Sequence, residues 1–242
     1  MAMQNFQSIF DHLEELRVRL IRSLLVYIFA CCVAYIFSNL VLNFLIAPVG
    51  KLYFTSPADA FLAKMILVLF GGFFLGLPFF LVEIWQFVSL GLKDNEKKFV
   101  AIFLPLSIAA FFLGALFAYT IIVPMTFRFF MSFTSDNLVP LITVKEYISF
   151  VGNLMLAFGV VFQLPLVLMF LTQIGIATPE FLSQKRRYAI AIILIVSMIV
   201  TPPDVVSLIL MSGPLVVLYE IGIVISRMVF ARQEELKRSE HL

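Results

Sequence analysis

Long apolar runs alternate with short polar joints along almost the whole chain. A helix needs about 20 apolar residues to cross the hydrocarbon layer of a bilayer. Six segments meet or approach that length: 20–41, 61–87, 99–123, 148–174, 188–201 and 205–227. The pattern predicts an all-α integral membrane protein with six transmembrane helices. The joints carry turn and cap chemistry. Thr55-Ser56-Pro57-Ala58-Asp59 precedes span 2, Gly91 to Lys98 precedes span 3, and the loop 124–147 before span 4 has room for a short helix of its own. Thr178-Pro179-Glu180 reads as a helix start, and Thr201-Pro202-Pro203-Asp204 as a tight turn between spans 5 and 6. Gly71, Gly72, Gly76 and Pro78 interrupt span 2 and predict a kink near Pro78. Span 5 is brief. Tyr188 to Thr201 covers about 21 Å at 1.5 Å per residue, against a core of about 30 Å. The expectation is a bilayer thinned beside it.

Ahead of span 1 lies a charged stretch, Phe10 to Arg22, with a helical pattern. Leu13, Leu16 and Leu20 recur at spacings of three and four and share a face. Glu15 and Arg19, four apart, stand in the favourable acid-to-base order. Such a segment is expected to lie along a membrane surface and lead into span 1. Residues 1–242 then form a single polytopic membrane domain, with a cytoplasmic amphipathic start over 1–19 and a flexible charged tail over 228–242.

Composition agrees. The chain is 62% hydrophobic and only 13% charged, where soluble domains carry about 25% charge. The net charge of +2 says little, but the placement of charge gives an orientation. Thirteen of the 17 Lys and Arg residues fall on one side: Arg17, Arg19, Arg22, Lys93, Lys97, Lys98, Lys185, Arg186, Arg187, Arg227, Arg232, Lys237 and Arg238. Lys51, Lys64, Arg128 and Lys145 fall on the other. Both termini are therefore expected in the cytoplasm, as an even number of spans requires. Cys31 and Cys32 are adjacent within the first apolar run and read as small apolar residues, since neighbours on a helix point apart. No cleavable signal peptide is expected, because the first apolar run begins only after acidic and basic residues.

Polar groups inside apolar spans need a reason. Glu83 lies toward the cytoplasmic end of span 2, Gln163 deep in span 4, Asp204 at the span 5–6 turn and Glu220 within span 6. Each has a structural reading as well. Glu83 and Glu220 can pair with Arg or Lys near the headgroups, Asp204 can cap span 6, and Gln163 can bridge helices. On the cytoplasmic side, Glu15 and Glu96 are carboxylates set among basic residues at the membrane boundary. Read plainly they are solvated surface groups. Carboxylates also bind guanidinium through two parallel charge-assisted hydrogen bonds, which Lys cannot reproduce. Two of them could select a pair of adjacent arginines.

The stretch His12-Leu13-Glu14-Glu15-Leu16-Arg17-Val18-Arg19-Leu20 resembles the N-terminal signature of the TatC family, the polytopic receptors of the twin-arginine protein translocase. Further family-like stretches follow in order. They include Ala47-Pro48, Leu77-Pro78, Trp85-Gln86-Phe87, Leu92 to Lys98, Gly114 to Tyr119, Tyr147 to Phe150, Ala157 to Val160 with Pro165, Thr201 to Asp204, and Tyr219 to Gly222. The resemblance implies a concave six-helix bundle with short spans 5 and 6, in the bacterial inner membrane. It implies recognition of twin-arginine signal peptides on folded cargo, exported at the expense of the proton-motive force. It carries that recognition to Glu15 and Glu96, with His12, Leu16 and Arg17 shaping the site. It implies docking of TatA- and TatB-like single-span partners, with Met198 and Ile199 of span 5 in the docking surface, and an oligomer of the chain itself within the translocase. No cofactor, metal or nucleic-acid partner is expected.

Four positions depart from the family pattern. Gln163 stands where the family has Glu, so any role needing a titratable group there loses it. Leu208 stands where a Gln is usual, and Asn95-Glu96 replaces His-Glu while keeping the carboxylate. Glu83 stands where Gln is expected, which suggests a third carboxylate near the signal-peptide site. A secondary transporter or channel is the alternative reading, since Glu83, Gln163 and Glu220 lie in Pro-interrupted helices. The spans, however, do not divide into matching halves. An enzyme finds little support. The two histidines, His12 and His241, lie near the chain ends, and neither a zinc-protease helix nor a nucleophile elbow is present.

Overall fold

The computed structural model describes residues 2–47, 49–50, 52–92, 97–134, 141–200 and 205–240, and their side chains except at 2–13, 200 and 236–240. Described residues are almost wholly helical, with one isolated parallel bridge between Tyr53 and Thr143. In order the helices are α1 (Ala2–Ile46), α2 (Pro57–Leu90), α3 (Lys97–Phe117), a π-helical turn (Ala118–Ile122), α4 (Val123–Met131), α5 (Val144–Val161), α6 (Leu164–Gln173), α7 (Pro179–Gln184), α8 (Arg186–Val200) and α9 (Val205–Glu240). Among the described residues, five stretches are long and apolar enough to cross a membrane: Glu14–Ile46, Pro57–Leu90, Lys97–Met131, Val144–Gln173 and Val205–Glu235. The segment expected as span 5 is α8, whose 15 residues fall short of that length.

The chain forms two compact units, one of Met1–Ile108 with Leu141–Ser149, the other of Ala109–Pro140 with Phe150–Leu242. In the first, α1 packs along α2. Small residues let the two backbones close up: Ala30 and Ala34 are buried on α1, and a Cβ at Gly72 would lie 3.0 Å from the Cys31 backbone. Gly71 and Gly72 thus serve helix contact, and α2 runs through them and Pro78 as one element. Its start is a capping box, in which the Ser56 hydroxyl accepts from Asp59 N–H and the Asp59 carboxylate accepts from Ser56 N–H. Toward its end, Trp85 stacks on Phe103 with ring centroids 5.4 Å apart, and its indole N–H donates to Ser107 Oγ at 3.0 Å. At the other end of this unit, Tyr53 N–H donates to Ile142 O and Val144 N–H to Tyr53 O. The buried Tyr147 hydroxyl donates to Leu45 O at 2.8 Å.

In the second unit, α6 packs on α9, with α7 and α8 beside α9. Gly114 lets α3 meet α5, since a Cβ there would come within 2.5 Å of Phe158 O. The α5–α6 break falls at Phe162 and Gln163, ahead of Pro165, which lacks the N–H to continue the ladder. Thr172 and Ser226 share a hydrogen bond between buried hydroxyls, and Gln233 Nε2 donates to Gln173 O at 2.9 Å. Thr178 caps α7 by accepting from Phe181 N–H, which realises the helix start read in the sequence.

Four boundaries differ from the sequence reading. The surface segment and span 1 are one unbroken helix, since nothing in residues 2–46 interrupts helical hydrogen bonding. Pro124 does not end span 3. The Val123 N–H bonds five residues back to Ala118 O, and this π turn absorbs the proline so that helix continues to Met131. Span 6 is not short, and residues 228–240 do not form a separate tail. They extend α9 with good helix formers and without Gly or Pro. The turn residues Thr201 to Asp204 lie outside the described residues.

Candidate functional site

The most concentrated polar arrangement in the first unit joins α1 and α2. Glu15 and Arg19 are one turn apart on α1, while Glu83 and Gln86 are three apart on α2. Helical spacing brings each pair onto one face, and the α1–α2 contact brings the faces together. Arg19 lies between them. Its Nη2 is 2.6 Å from Glu15 Oε1, and its Nη1 is 2.9 Å from Glu83 Oε2. The same Nη1 donates to Gln86 Oε1 at 3.1 Å and to the Glu83 carbonyl at 3.4 Å. Arg19 Nε also faces Glu15 Oε1 at 3.3 Å. Glu83 is 8% exposed although it carries a charge, and Arg19 supplies what burial of that carboxylate requires. Two carboxylates share one guanidinium, so the cluster keeps a net negative charge.

The sequence reading also allows Glu83 as a third carboxylate near the signal-peptide site. It stands beside Glu15, as supposed, but its charge is engaged by Arg19. The structural reading, pairing with a neighbouring Arg, describes it. Leu16 and Arg17 share α1 with Glu15 and are exposed. The backbone of His12 belongs to α1, and its side chain lies outside the described set. Glu96 lies outside the described residues. Arg19 and Gln86 were not singled out as site residues. The signal for Arg19 was present, a base four residues after Glu15. Gln86 carried the weaker one of lying three after Glu83.

The remaining residues sit in the second unit. Glu220 is held by Arg186 through two contacts, at 2.8 and 2.9 Å, both side chains being partly exposed. Next to it, the Tyr219 hydroxyl donates to Leu182 O at 2.9 Å and ties α9 to α7. Gln163 occupies the joint before α6, half-buried. Met198 and Ile199 are 62% and 78% exposed on α8, where Ile193 and Ser197 face the protein. Asp204 lies outside the described residues. Among the described residues, no group of three or more His, Cys, Asp or Glu could hold a metal ion.

A guanidinium cradle on a multi-span membrane protein narrows the field, and similarity to known proteins decides it. Residues 11–214 match the family model described as Sec-independent protein translocase protein (TatC). The chain belongs to the TatC family. A TatC protein of Desulforapulum autotrophicum is 40% identical over 237 residues, covering 95% of this chain and 87% of that protein. One from Carboxydothermus hydrogenoformans is 37% identical over 227 residues, covering 92% and 93%. A crystal structure of the twin arginine translocase receptor TatC superposes with a TM-score of 0.82 at 36% identity, covering 90% of this chain and 99% of that one. Membership in TatC makes this chain a multi-span membrane component of protein transport rather than an enzyme.

Proposed function

We propose that this protein is the signal-peptide receptor and core subunit of a twin-arginine translocase, exporting folded proteins across the bacterial inner membrane with the proton-motive force. The observation that carries the reading is the near full-length likeness to the crystal structure of a twin arginine translocase receptor. The guanidinium cradle on α1 and α2 supports it, because the defining feature of the ligand would be a pair of guanidinium groups. Glu15 and Glu96 bind the two arginines in this reading, with His12, Leu16 and Arg17 around them. The chain crosses the membrane six times, α8 being the short fifth span, and both termini face the cytoplasm, on the side that carries thirteen of its 17 basic residues. TatA- and TatB-like single-span proteins dock on the exposed apolar face of α8 at Met198 and Ile199. Gln163, Asp204 and Glu220 form polar points of the intramembrane assembly, and several copies of the chain act together.

The test is binding of a twin-arginine signal peptide to the protein in membranes, against the same peptide with Lys-Lys. Preference for Arg-Arg, erased by Glu15→Ala and by Glu96→Ala, is the expected result. Absence of any preference with partner proteins present would overturn the reading.

A further inference from the structure

The guanidinium cradle is already occupied, and by the protein's own chain. Arg19 places Nη1 on Glu83 and Gln86 and Nη2 on Glu15, and its side chain is only 14% exposed. An arginine brought by a ligand to Glu15 meets a carboxylate whose Oε1 is already bonded to another arginine. We propose that Arg19 is an internal competitor at this site: it is a resident guanidinium that a ligand's arginine must displace from Glu15, and the contact holds the free protein in a self-inhibited state. This rests on the receptor reading above and concerns the same site.

The exchange carries a cost that every ligand meets. Displacing Arg19 breaks charge-assisted bonds to two carboxylates and an amide on two helices. An incoming guanidinium restores them in kind, because its planar fork matches a carboxylate edge. An ammonium is a point donor without that fork, and it is more strongly hydrated. It therefore binds the vacated carboxylates more weakly, whether or not a resident had to be displaced first. The released Arg19 has somewhere to go, because the Arg22 position three residues on along the same helix is exposed and a long side chain can turn outward there. Charge balance points the same way. The cluster of Glu15, Glu83 and Arg19 has a net charge of −1, and with Arg19 turned out it has −2, which favours entry of a cationic group.

Occupancy also reduces affinity for every ligand. If the site with Arg19 withdrawn is populated at about one part in ten, apparent affinity falls about tenfold, and removing the resident restores it. The experiment uses full-length protein in lipid nanodiscs and two peptides, Arg-Arg and Lys-Lys, with Arg19→Gln and Arg19→Lys as variants. Arg19→Lys keeps the charge and guards against a variant that fails to fold, and folding of each is checked by thermal unfolding. The expected result is that both peptides gain about tenfold in Arg19→Gln and less in Arg19→Lys, with the ratio between them kept. A folded Arg19→Gln variant that binds both peptides no more tightly than the wild type would overturn the proposal and leave Arg19 as a support for Glu15. Lack of Arg-Arg preference in the wild type would instead defeat the receptor reading, so the two failures are distinguishable.

Discussion

Glu83 shows how one buried charge shapes its surroundings. A carboxylate at 8% exposure is tolerable only with a partner, and Arg19 reaches it from the neighbouring helix at 2.9 Å. Glu83→Gln leaves Arg19 with Glu15 and an amide oxygen, so the loss is partial. We expect a destabilisation of about 1–3 kcal/mol, read by thermal unfolding in detergent. The pair Arg186–Glu220 has similar distances but both side chains are over 40% exposed, at 43% and 42%. Arg186→Ala should therefore cost no more than about 1 kcal/mol in the same assay. The two pairs look alike in sequence, as charges near the ends of apolar spans. Burial separates them, and burial depends on which helix lies alongside.

At the scale of elements, the α1–α2 contact rests on small residues. Gly72→Val would place methyl groups where the Cys31 backbone lies, forcing the helices apart at a cost of about 1–3 kcal/mol. It should also weaken the Arg19–Glu83 pair, and a double-mutant cycle of Gly72→Val with Glu83→Gln would then show clear non-additivity. Most helices were legible in the sequence from apolar length, and caps such as Ser56 and Thr178 from their residue types. What proline does was not. Pro124 lacks an N–H and so reads as a helix end, yet a π turn before it carries the helix on to Met131. Gly71 and Gly72 read as interruptions and proved to be contact points. Of the candidate site, Glu15 was legible from its setting among bases. The role of Arg19 was hidden, because it depends on a contact to α2 some 64 residues away in sequence.

For the whole molecule, α8 as the proposed fifth span sets a relation to the bilayer. Its 15 residues cover about 22 Å, against a hydrocarbon layer of about 30 Å. Reconstitution into lipids of increasing acyl length should lower stability and transport progressively, with an optimum in thin bilayers. A flat dependence would mean that residues beyond Val200 complete the span. The opposite excess is found in α9. Its apolar part to Arg227 covers about 34 Å, and the helix runs on for about another 20 Å to Glu240. With Gln233 bonded to Gln173 O, that extension is a shaft keyed to the body near its root. A shaft transmits angle. Each residue inserted between Gln233 and Glu240 would turn whatever is fused beyond it by about 100° and advance it by about 1.5 Å. Two fluorescent reporters separated by such insertions should give energy transfer that oscillates with a period near 3.6 residues, like the reading of a dial.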